Sequence, residues 1–451
     1  MTHQITLPEM LNARERRVLR QRQLLAQYPM PMVCFTMNIA GPVKNSPLIQ
    51  KGFALGKRYL TEQLDSLHIP CAHYEEINEA TGNEACWLID ADPLLIKKIT
   101  CAIEDNSEIG RLFDMDVLRP DGTKIDRAEL GFSPRLCLVC GGPAKECARS
   151  RTHTVEQLQA RTREILTHAL EEEDSILAAR LACQALLYEV CTTPKPGLVD
   201  REGNGSHKDM DIFTFMNSAS ALWPYFQACT RIGRQTAGLP PRQTFLQIRS
   251  RGQRAEADML AATKGVNTHK GAIFSLGILC AALGRLPNEQ WKQPDAILKE
   301  CAAMTAGLVN EDFAGLTREN AVTTGQKLYL EHQITGVRGQ MEAGLPAVRD
   351  VGLPVLKKGF AQGLSPDRAG CGALLALITA AVDTNLIARS DLATQQETVL
   401  QLKELLMHNP YPDLPTLRQL DSKFMEKNLS PGGSADLLAV CYLLYFLENE
   451  V

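Results

Sequence analysis

TPKPGLVDREGNGSHKDMD, Thr193 to Asp211, divides the chain into two kinds of pattern. It follows a nearly all-apolar helical run, Ile176 to Val190, which Pro194 and Pro196 bring to an abrupt stop. Lys195 lies between those prolines, and Asp200, two glycines, His207, Asp209 and Asp211 follow within a few residues. A rigid start, a glycine-containing middle and clustered charge suit a loop that wraps a polyphosphate and its magnesium. The same composition also suits a solvated surface loop. On the C-terminal side the spacing predicts about eight helical segments separated by Gly/Pro loops and no strand, an all-α domain.

On the N-terminal side the period is different. Met30–Ala40, MPMVCFTMNIA, reads as a strand that ends in GPVKNSP, and Ser46–Ser66 repeats apolar residues at helical spacing. Ile69–Ile77 and Glu84–Ile89 read as strands joined by a turn around Gly82–Asn83, Pro93–Ile103 as a helix, and Arg111–Leu118 as a strand. The order β-α-β-β-α-β predicts an α+β domain of ferredoxin-like or palm-like type, the palm form being that of nucleotidyltransferases. Val155–Glu173, with its block of glutamates, reads as a solvent-exposed helical linker, and the boundary is expected near Leu170. The chain is thus expected to be multidomain, residues 1–170 being α+β and 171–451 all-α.

Composition limits the function classes. The 451 residues exceed one core, and 45% apolar with 22% charged residues is ordinary for a soluble protein. A formal charge of -4 supplies no basic field for nucleic acid, and no run reaches the length of a membrane span. Met1–Leu24 is polar and Arg-rich without a signal core, and the 14 cysteines are scattered through apolar helices. They are expected to be reduced thiols in a cytoplasmic protein.

Within RLFDMDVL, strand alternation puts Asp114 and Asp116 on one face, where they can share one or two magnesium ions for nucleotidyl transfer. An exposed strand of alternating charge is the plainer reading. GPVKNS brings Lys44 and helix-start amides together for an anion, or simply caps a helix through Asn45 or Ser46. Cys137, Cys140, Cys147 and His153 follow C-x2-C-x6-C-x5-H, the spacing of a zinc knuckle. The intervening ARSRT equally suits a phosphate-binding segment, and three reduced cysteines under a loop would also account for the spacing.

GPVKNSPLI, GRLFDMDVL and RLCLVCGGPAKECARSRTH together resemble the phosphoribosyl-dephospho-CoA transferase of citrate lyase, its holo-acyl-carrier-protein synthase. The likeness spans roughly Leu11–Ala160. It implies transfer of a phosphoribosyl-dephospho-CoA group to a serine of the citrate lyase acyl carrier protein, with pyrophosphate leaving. Placed on the matching motif positions, Asp114 and Asp116 become metal carboxylates, and Lys44 and Arg111 phosphate contacts.

Further along, TKGVNTHKG (Thr263–Gly271) precedes an apolar helix, so Asn267 or Thr268 can cap it while His269 and Lys270 meet a phosphate. In TTGQKLYLEHQITGVRGQMEAGLP, Gly336, Gly339 and Gly344 surround Arg338 and Glu342, as in a loop that lets backbone approach a ligand. The apolar stretch CGALLALITAAVDTNLIARS is expected to be one helix containing Asp383 and Asn385, costly residues there unless functional. Asp436, after a glycine pair, is expected to cap the last helix by charge–dipole attraction.

PKPGLVD, HKDMD, GVNTHKGAIFSLG, GVRGQMEAGLP, DTN and NLSPGGSADLL resemble the triphosphoribosyl-dephospho-CoA synthase family over about Ala178–Leu447. Two positions depart from its pattern: Gln340 stands where a glutamate is expected, and Val382 where a glycine is. The resemblance implies that 3'-dephospho-CoA is joined to the ribose of ATP and adenine is released. That chemistry requires cations on the triphosphate, a carboxylate for the sugar and an acid for adenine. Lys195, Lys270 and Arg338 are candidates for the phosphates, with Asn267 and Asn385 as further substrate contacts. Asp200, Asp209 and Asp211 are candidates for magnesium, Asp383 or Glu342 for the sugar, and His207 and His269 for proton transfer. A chain with one active half, and a nucleotide-binding regulator without catalysis, are the rival readings.

Overall fold

FDMDVL alternates as a half-buried strand must, with Phe113, Met115 and Val117 buried and Asp114 and Asp116 partly exposed on the other face. The computed structural model describes residues 3–451, and its chain forms two compact units, one ending at Glu172 and the other spanning Glu173–Val451. In the first unit the order is α1 (Leu7–Gln27), β1 (Met32–Met37), α2 (Pro47–Ser66), β2 (Cys71–Glu79), β3 (Gly82–Ile89), α3 (Pro93–Asp105) and β4 (Phe113–Leu118). The anticipated β-α-β-β-α-β run is present, preceded by α1. The sheet order is β2-β3-β1-β4, and each neighbouring pair is antiparallel.

Caps start the two central helices. Ser46 Oγ accepts from the Ile49 amide at 3.3 Å and Asp92 Oδ1 from the Leu94 amide at 3.2 Å, each followed by a proline in the first turn. Their apolar stripes, including Phe53, Leu60, Ile96 and Ile103, share one core with Phe35, Trp87, Phe113 and Met115. On the other face, Leu24 and Leu25 of α1 pack with Met32, Cys34, Leu88 and Leu118.

β4 is an edge strand, and its outward backbone groups are covered by side chains. Glu104 Oε1 accepts from the Met115 amide at 2.8 Å, Lys97 Nζ donates to the Met115 carbonyl at 3.2 Å, and Arg135 donates to the Phe113 carbonyl. Glu104 is buried, so it needs its partners Arg127 (2.9 Å) and Arg135 (3.1 Å).

After α4 (Ala144–Ser150), α5 spans Val155–Cys191, and the boundary between units falls inside it. Thr162, Ile165 and Leu166 are buried, the last two within the first unit's core. The stretch expected as a solvent-exposed linker is therefore a packed element, held by its few apolar residues despite the surrounding glutamates.

Every regular element of the second unit is helical among the described residues, in more and shorter helices than anticipated. They begin with α6 (Ile212–Ala221), α7 (Trp223–Gln235), α8 (Pro241–Ala262) and α9 (Lys270–Arg285). The helix α9 and the final helix Gly432–Glu450 are buried along most of their length. A Cβ on Gly233 of α7 would stand 2.0 Å from the Ala281 carbonyl oxygen of α9, so the two backbones touch there. No helix among the described residues is long and apolar enough to cross a membrane.

The Glu104 network yields a stability prediction. Glu104→Ala leaves the Met115 amide and two arginines without their carboxylate and should destabilise the first unit by about 3 kcal/mol. Hydrogen exchange should show β1 and β4 amides losing protection while α9 is unchanged. Unaltered protection in β4 would contradict this account of the edge.

Candidate functional site

A cavity of about 410 Å³ opens in the helical unit where the starts of several helices meet. Lys270 and Gly271 come from the start of α9, Gly336 from helix Gly336–Glu342, Thr384 from helix Thr384–Arg389, and Gly432 from the last helix. Helix N-termini carry unpaired amides and partial positive charge, which favours an anion. The first wall is the opening stretch itself. Thr192 to Asp200 are all buried, so its N-terminal half is an interior segment and not a surface loop.

Lys195 is 1% exposed and Glu189 4%. The Lys195 ammonium donates to the Glu189 carboxylate and, at 2.6 Å, to the Glu189 carbonyl. Asp200 holds the same segment in place by accepting from the Lys195 amide at 2.8 Å and from the Glu202 and Gly203 amides at 2.7 and 3.1 Å.

Asp383 does not lie inside a helix as expected. The helix Pro366–Ala380 ends, Ala381 is extended, and Asp383 caps the next helix. Its Oδ1 accepts from the Asn385, Leu386 and Gly433 amides at 3.0, 3.2 and 3.3 Å, and its Oδ2 from the Ser434 amide and hydroxyl at 2.7 and 2.8 Å. One buried carboxylate thus ties two helix N-termini together. Burial pushes its carboxyl up, while the Ser434 hydroxyl and these amides pull the other way.

Asp436 lies on the cavity, against the first turn of α9. A Cβ on Gly271 would stand 1.9 Å from its Oδ2, so glycine at 271 makes the space for this carboxyl. Asp436 keeps part of its surface open on the cavity, yet the packing around it, together with the neighbouring Glu189 and Asp383 charges, holds its carboxyl well above the usual range, opposed by a hydrogen bond from the Ala272 amide.

Both histidines line the cavity. Thr268 Oγ1 donates to Ser218 Oγ at 2.8 Å, and Ser218 Oγ is hydrogen-bonded to His269 Nδ1 at 2.6 Å. His269 Nε2 is buried without a hydrogen-bond partner in the protein. Burial, helped by the Lys195 charge, lowers this imidazole to about 3. In His207, Nδ1 accepts from Arg389 Nη2 at 3.0 Å, leaving Nε2–H for Ser430 Oγ at 2.8 Å. Burial and then Arg389 lower it as well. Both shifts favour the neutral ring, and both nitrogens of His207 are engaged.

Of the anticipated residues, Lys195, His207, Asn267, His269, Lys270, Asp383 and Asn385 line this cavity. Asn267 Oδ1 accepts from the Lys270 amide at 3.3 Å, and Lys270 Nζ pairs with Glu256 at 2.8 Å. Asp209 is exposed and 4.0 Å from His207 Nδ1, Asp211 caps α6 through the Thr214 amide at 2.8 Å, and Asp200 is committed to its turn. None of these three lines the cavity, and they are not gathered into one cluster of ligand atoms as expected for a magnesium trio. Arg338 lies on a helix, not a loop, and pairs with Asp312 at 2.7 Å. Glu342 accepts from the Gly307 and Val309 amides at 2.8 and 3.0 Å. Gln340, by contrast, lines the cavity, as does Val382. Sequence reasoning missed Glu189, Arg389 and Ser218, and read Asp436 only as a cap. A carboxylate one turn before PKP was the available signal for Glu189.

In the first unit, Asp114 and Asp116 share a face of β4, with Lys124 Nζ 2.5 Å from Asp116 Oδ1 and Arg135 3.8 Å from Asp114. Burial and the Asp116 charge push the Asp114 carboxyl up. Two repelling carboxylates side by side are a donor set that fits a divalent cation. Lys44 donates to the Ile39 carbonyl of its own loop, and Asn45 Nδ2 to the Glu79 carbonyl at 2.8 Å. Arg111, the other expected phosphate contact, donates to the Cys137 carbonyl at 2.5 Å and so holds the cysteine loop.

Comparison with known proteins matches both units. Residues 176–451 match the family model CitG, ATP:dephospho-CoA triphosphoribosyl transferase, and residues 5–169 match CitX, apo-citrate lyase phosphoribosyl-dephospho-CoA transferase. The chain is 35% identical to protein CitXG of Leuconostoc mesenteroides subsp. cremoris, covering 99% of this chain and 98% of that one. It is 34% identical to CitXG of Haemophilus influenzae over 98% and 96% of the two chains. A 2-(5''-triphosphoribosyl)-3'-dephosphocoenzyme-A synthase of Pectobacterium atrosepticum is 41% identical over 59% of this chain and 87% of its own. With both family models matched in one chain and its relatives alike over their full length, the protein belongs to the CitXG family of transferases, a CitX unit followed by a CitG unit.

Proposed function

We propose that the helical unit makes the citrate lyase prosthetic-group precursor and that the α+β unit attaches it. In the first reaction the 2'-hydroxyl of 3'-dephospho-CoA attacks C1'' of ATP ribose. A C–O bond forms, the C–N bond to adenine breaks, and the triphosphate stays on the product. The hydroxyl loses one proton and adenine gains one, so an acid and an acceptor are needed.

The observation that carries this reading is the Asp436 carboxyl, seated on the cavity where Gly271 leaves room and raised well above the ordinary carboxyl range by desolvation and the neighbouring Glu189 and Asp383 charges. Asp436 is the acid that protonates departing adenine. The Glu189 carboxylate meets the positive charge developing on the sugar, and Lys195 keeps it oriented. Lys270, Arg389 and the amides at the starts of α9 and the last helix hold the triphosphate. His269, kept neutral by burial and with Nε2 unpartnered, offers the substrate a hydrogen-bonding group at the cavity wall. Asp383 builds the site by joining two helix starts.

In the second reaction the serine hydroxyl of the citrate lyase acyl carrier protein attacks the phosphorus next to the ribose. A phosphate ester bond forms, the serine hydroxyl loses its proton, and pyrophosphate leaves with the electron pair of the broken P–O bond and takes up that proton. Asp114 and Asp116 would hold magnesium, which neutralises phosphate charge when bound. We read the β2-β3-β1-β4 sheet as the ferredoxin-like or palm arrangement used in nucleotidyl transfer.

Purified protein should release adenine from ATP only when 3'-dephospho-CoA is present. Adenine release without it, or none with it, would overturn the first step and favour a binding role. Asp114→Asn or Asp116→Asn should cut carrier loading, followed by carrier mass, at least about 100-fold while adenine release continues. Loading at the wild-type rate would remove the metal role.

The His269 environment also predicts a pH dependence. The folded imidazole titrates near 3 against 6.5 for the unreacted group, so its stabilising contribution is complete above pH 6.5 and falls as pH drops towards 3. Compared with His269→Gln, wild type should therefore lose up to about 1.4 kcal/mol of unfolding free energy per pH unit between pH 6.5 and 5. A difference that stays constant over that interval would mean that the folded ring binds its proton as readily as the unfolded one, contrary to a lowered imidazole.

A further inference from the structure

The chain between Gly131 and Thr154 has almost no core of its own. Cys137 is the one buried residue in that stretch, Leu136 is 57% exposed, and α4 buries nothing. Apolar burial cannot hold twenty-odd residues in one shape on those terms. Yet the backbone is specifically arranged. The Cys137 amide donates to the Gly142 carbonyl at 2.6 Å and the Gly141 amide to the Cys137 carbonyl at 3.1 Å, with Gly141 in the left-handed region at φ +72°. This tight knuckle brings Cys140 back towards Cys137. α4 then carries Cys147, and Arg151, at φ +50°, turns the chain so that His153 returns to the same point.

The four side chains each offer one ligand atom, and these atoms all lie within 4.8 Å of one another. The Cys140 and Cys147 sulfurs are 3.5 Å apart, and His153 Nε2 is buried without a hydrogen-bond partner. Zn–S bonds of about 2.3 Å and a Zn–N bond of about 2.0 Å put tetrahedral ligand atoms about 3.5–3.8 Å apart, so small side-chain adjustments close the shell. Three thiolates and an imidazole select zinc over magnesium, which takes oxygen ligands.

We propose that Cys137, Cys140, Cys147 and His153 bind one zinc ion that cross-links this stretch and positions the arginines beside the Asp114–Asp116 strand. The link is short. Arg111 donates to the Leu136 and Cys137 carbonyls at 3.3 and 2.5 Å, and Arg135, two residues before the first ligand, donates to the Phe113 carbonyl. Arg135 also lies 3.8 Å from Asp114. The ion acts on the transferase strand through this backbone and has all four positions filled by protein, so it is structural.

The test uses the full chain, grown with zinc supplementation and purified in reductant, with metal content measured by mass spectrometry. About one zinc per chain is expected in wild type, and well under half of that in Cys140→Ser, Cys147→Ser or His153→Asn. Cys71→Ser, an exposed cysteine outside the cluster, should keep the full amount. Adenine release by each variant reports on folding of the helical unit and should be unchanged. Zinc stripped from wild type with a chelator should open new protease cleavage sites within residues 131–154, and added zinc should close them. Wild type without zinc overturns the proposal, as does a Cys140–Cys147 disulfide in reductant-purified protein, or full zinc content in Cys140→Ser.

Discussion

Lys195 and Glu189 form a nearly fully buried ion pair in the wall of the cavity, and it ties α5 to the segment that follows it. Removing such charges from water costs several kcal/mol each, and losing either partner would cost about 3–5 kcal/mol. The cost is met locally. The ammonium reaches both the carboxylate and the carbonyl of Glu189, and Asp200 fixes the Lys195 backbone through its amide. Because α5 supplies Glu189 and the segment after it supplies Lys195, the pair also fixes how the chain leaves that helix. This is why a polar, proline-flanked stretch runs through the interior.

The same logic extends across the cavity. Asp383 is buried at 2% exposure, and five donors from two helix starts compensate it. Asp436 has a weaker set of partners and sits where Gly271 leaves room, so it is the carboxyl most able to exchange a proton. Three acids in one cavity thus differ in environment because their partners differ: one is paired to a lysine, one is bonded to two helix starts, and one is raised by desolvation and like charge. In the α+β unit the opposite arrangement holds, with Asp114 and Asp116 adjacent, mutually repelling and partly open.

Much of the fold was legible because two periodicities carry it. Alternation in FDMDVL identified β4 and its acidic face, and the helical spacing of Leu48, Ile49, Phe53, Leu60 and Leu64 identified α2. Helix ends were less legible: the break at Ala381 has no glycine or proline to mark it, so Asp383 looked interior to a helix when it begins one. In the site, Lys195, His207, His269, Lys270 and Asn385 reach the cavity from separate stretches. Asp200, Asp209 and Asp211 looked like ligands because they cluster in sequence, but turn and cap geometry aims two of them at amides. Arg338 and Glu342 are occupied by Asp312 and by the Gly307 and Val309 amides, partners some thirty residues away that no local pattern reveals. The zinc-type spacing was legible, whereas the nearly coreless stretch around it was not.

The central claim is that the Asp436 carboxyl in the helical cavity acts as the acid for departing adenine, independently of the Asp114–Asp116 strand. The direct measurement is Asp436→Asn in the full chain, with adenine release and carrier mass followed in the same experiment. Asn keeps the shape beside Gly271 and cannot act as the acid. Adenine release should fall at least about 100-fold, the scale of a lost general acid. Loading of the carrier from supplied 2'-(5''-triphosphoribosyl)-3'-dephospho-CoA should proceed at the wild-type rate. Adenine release within a few-fold of wild type, or loss of loading from the supplied intermediate, would contradict the account.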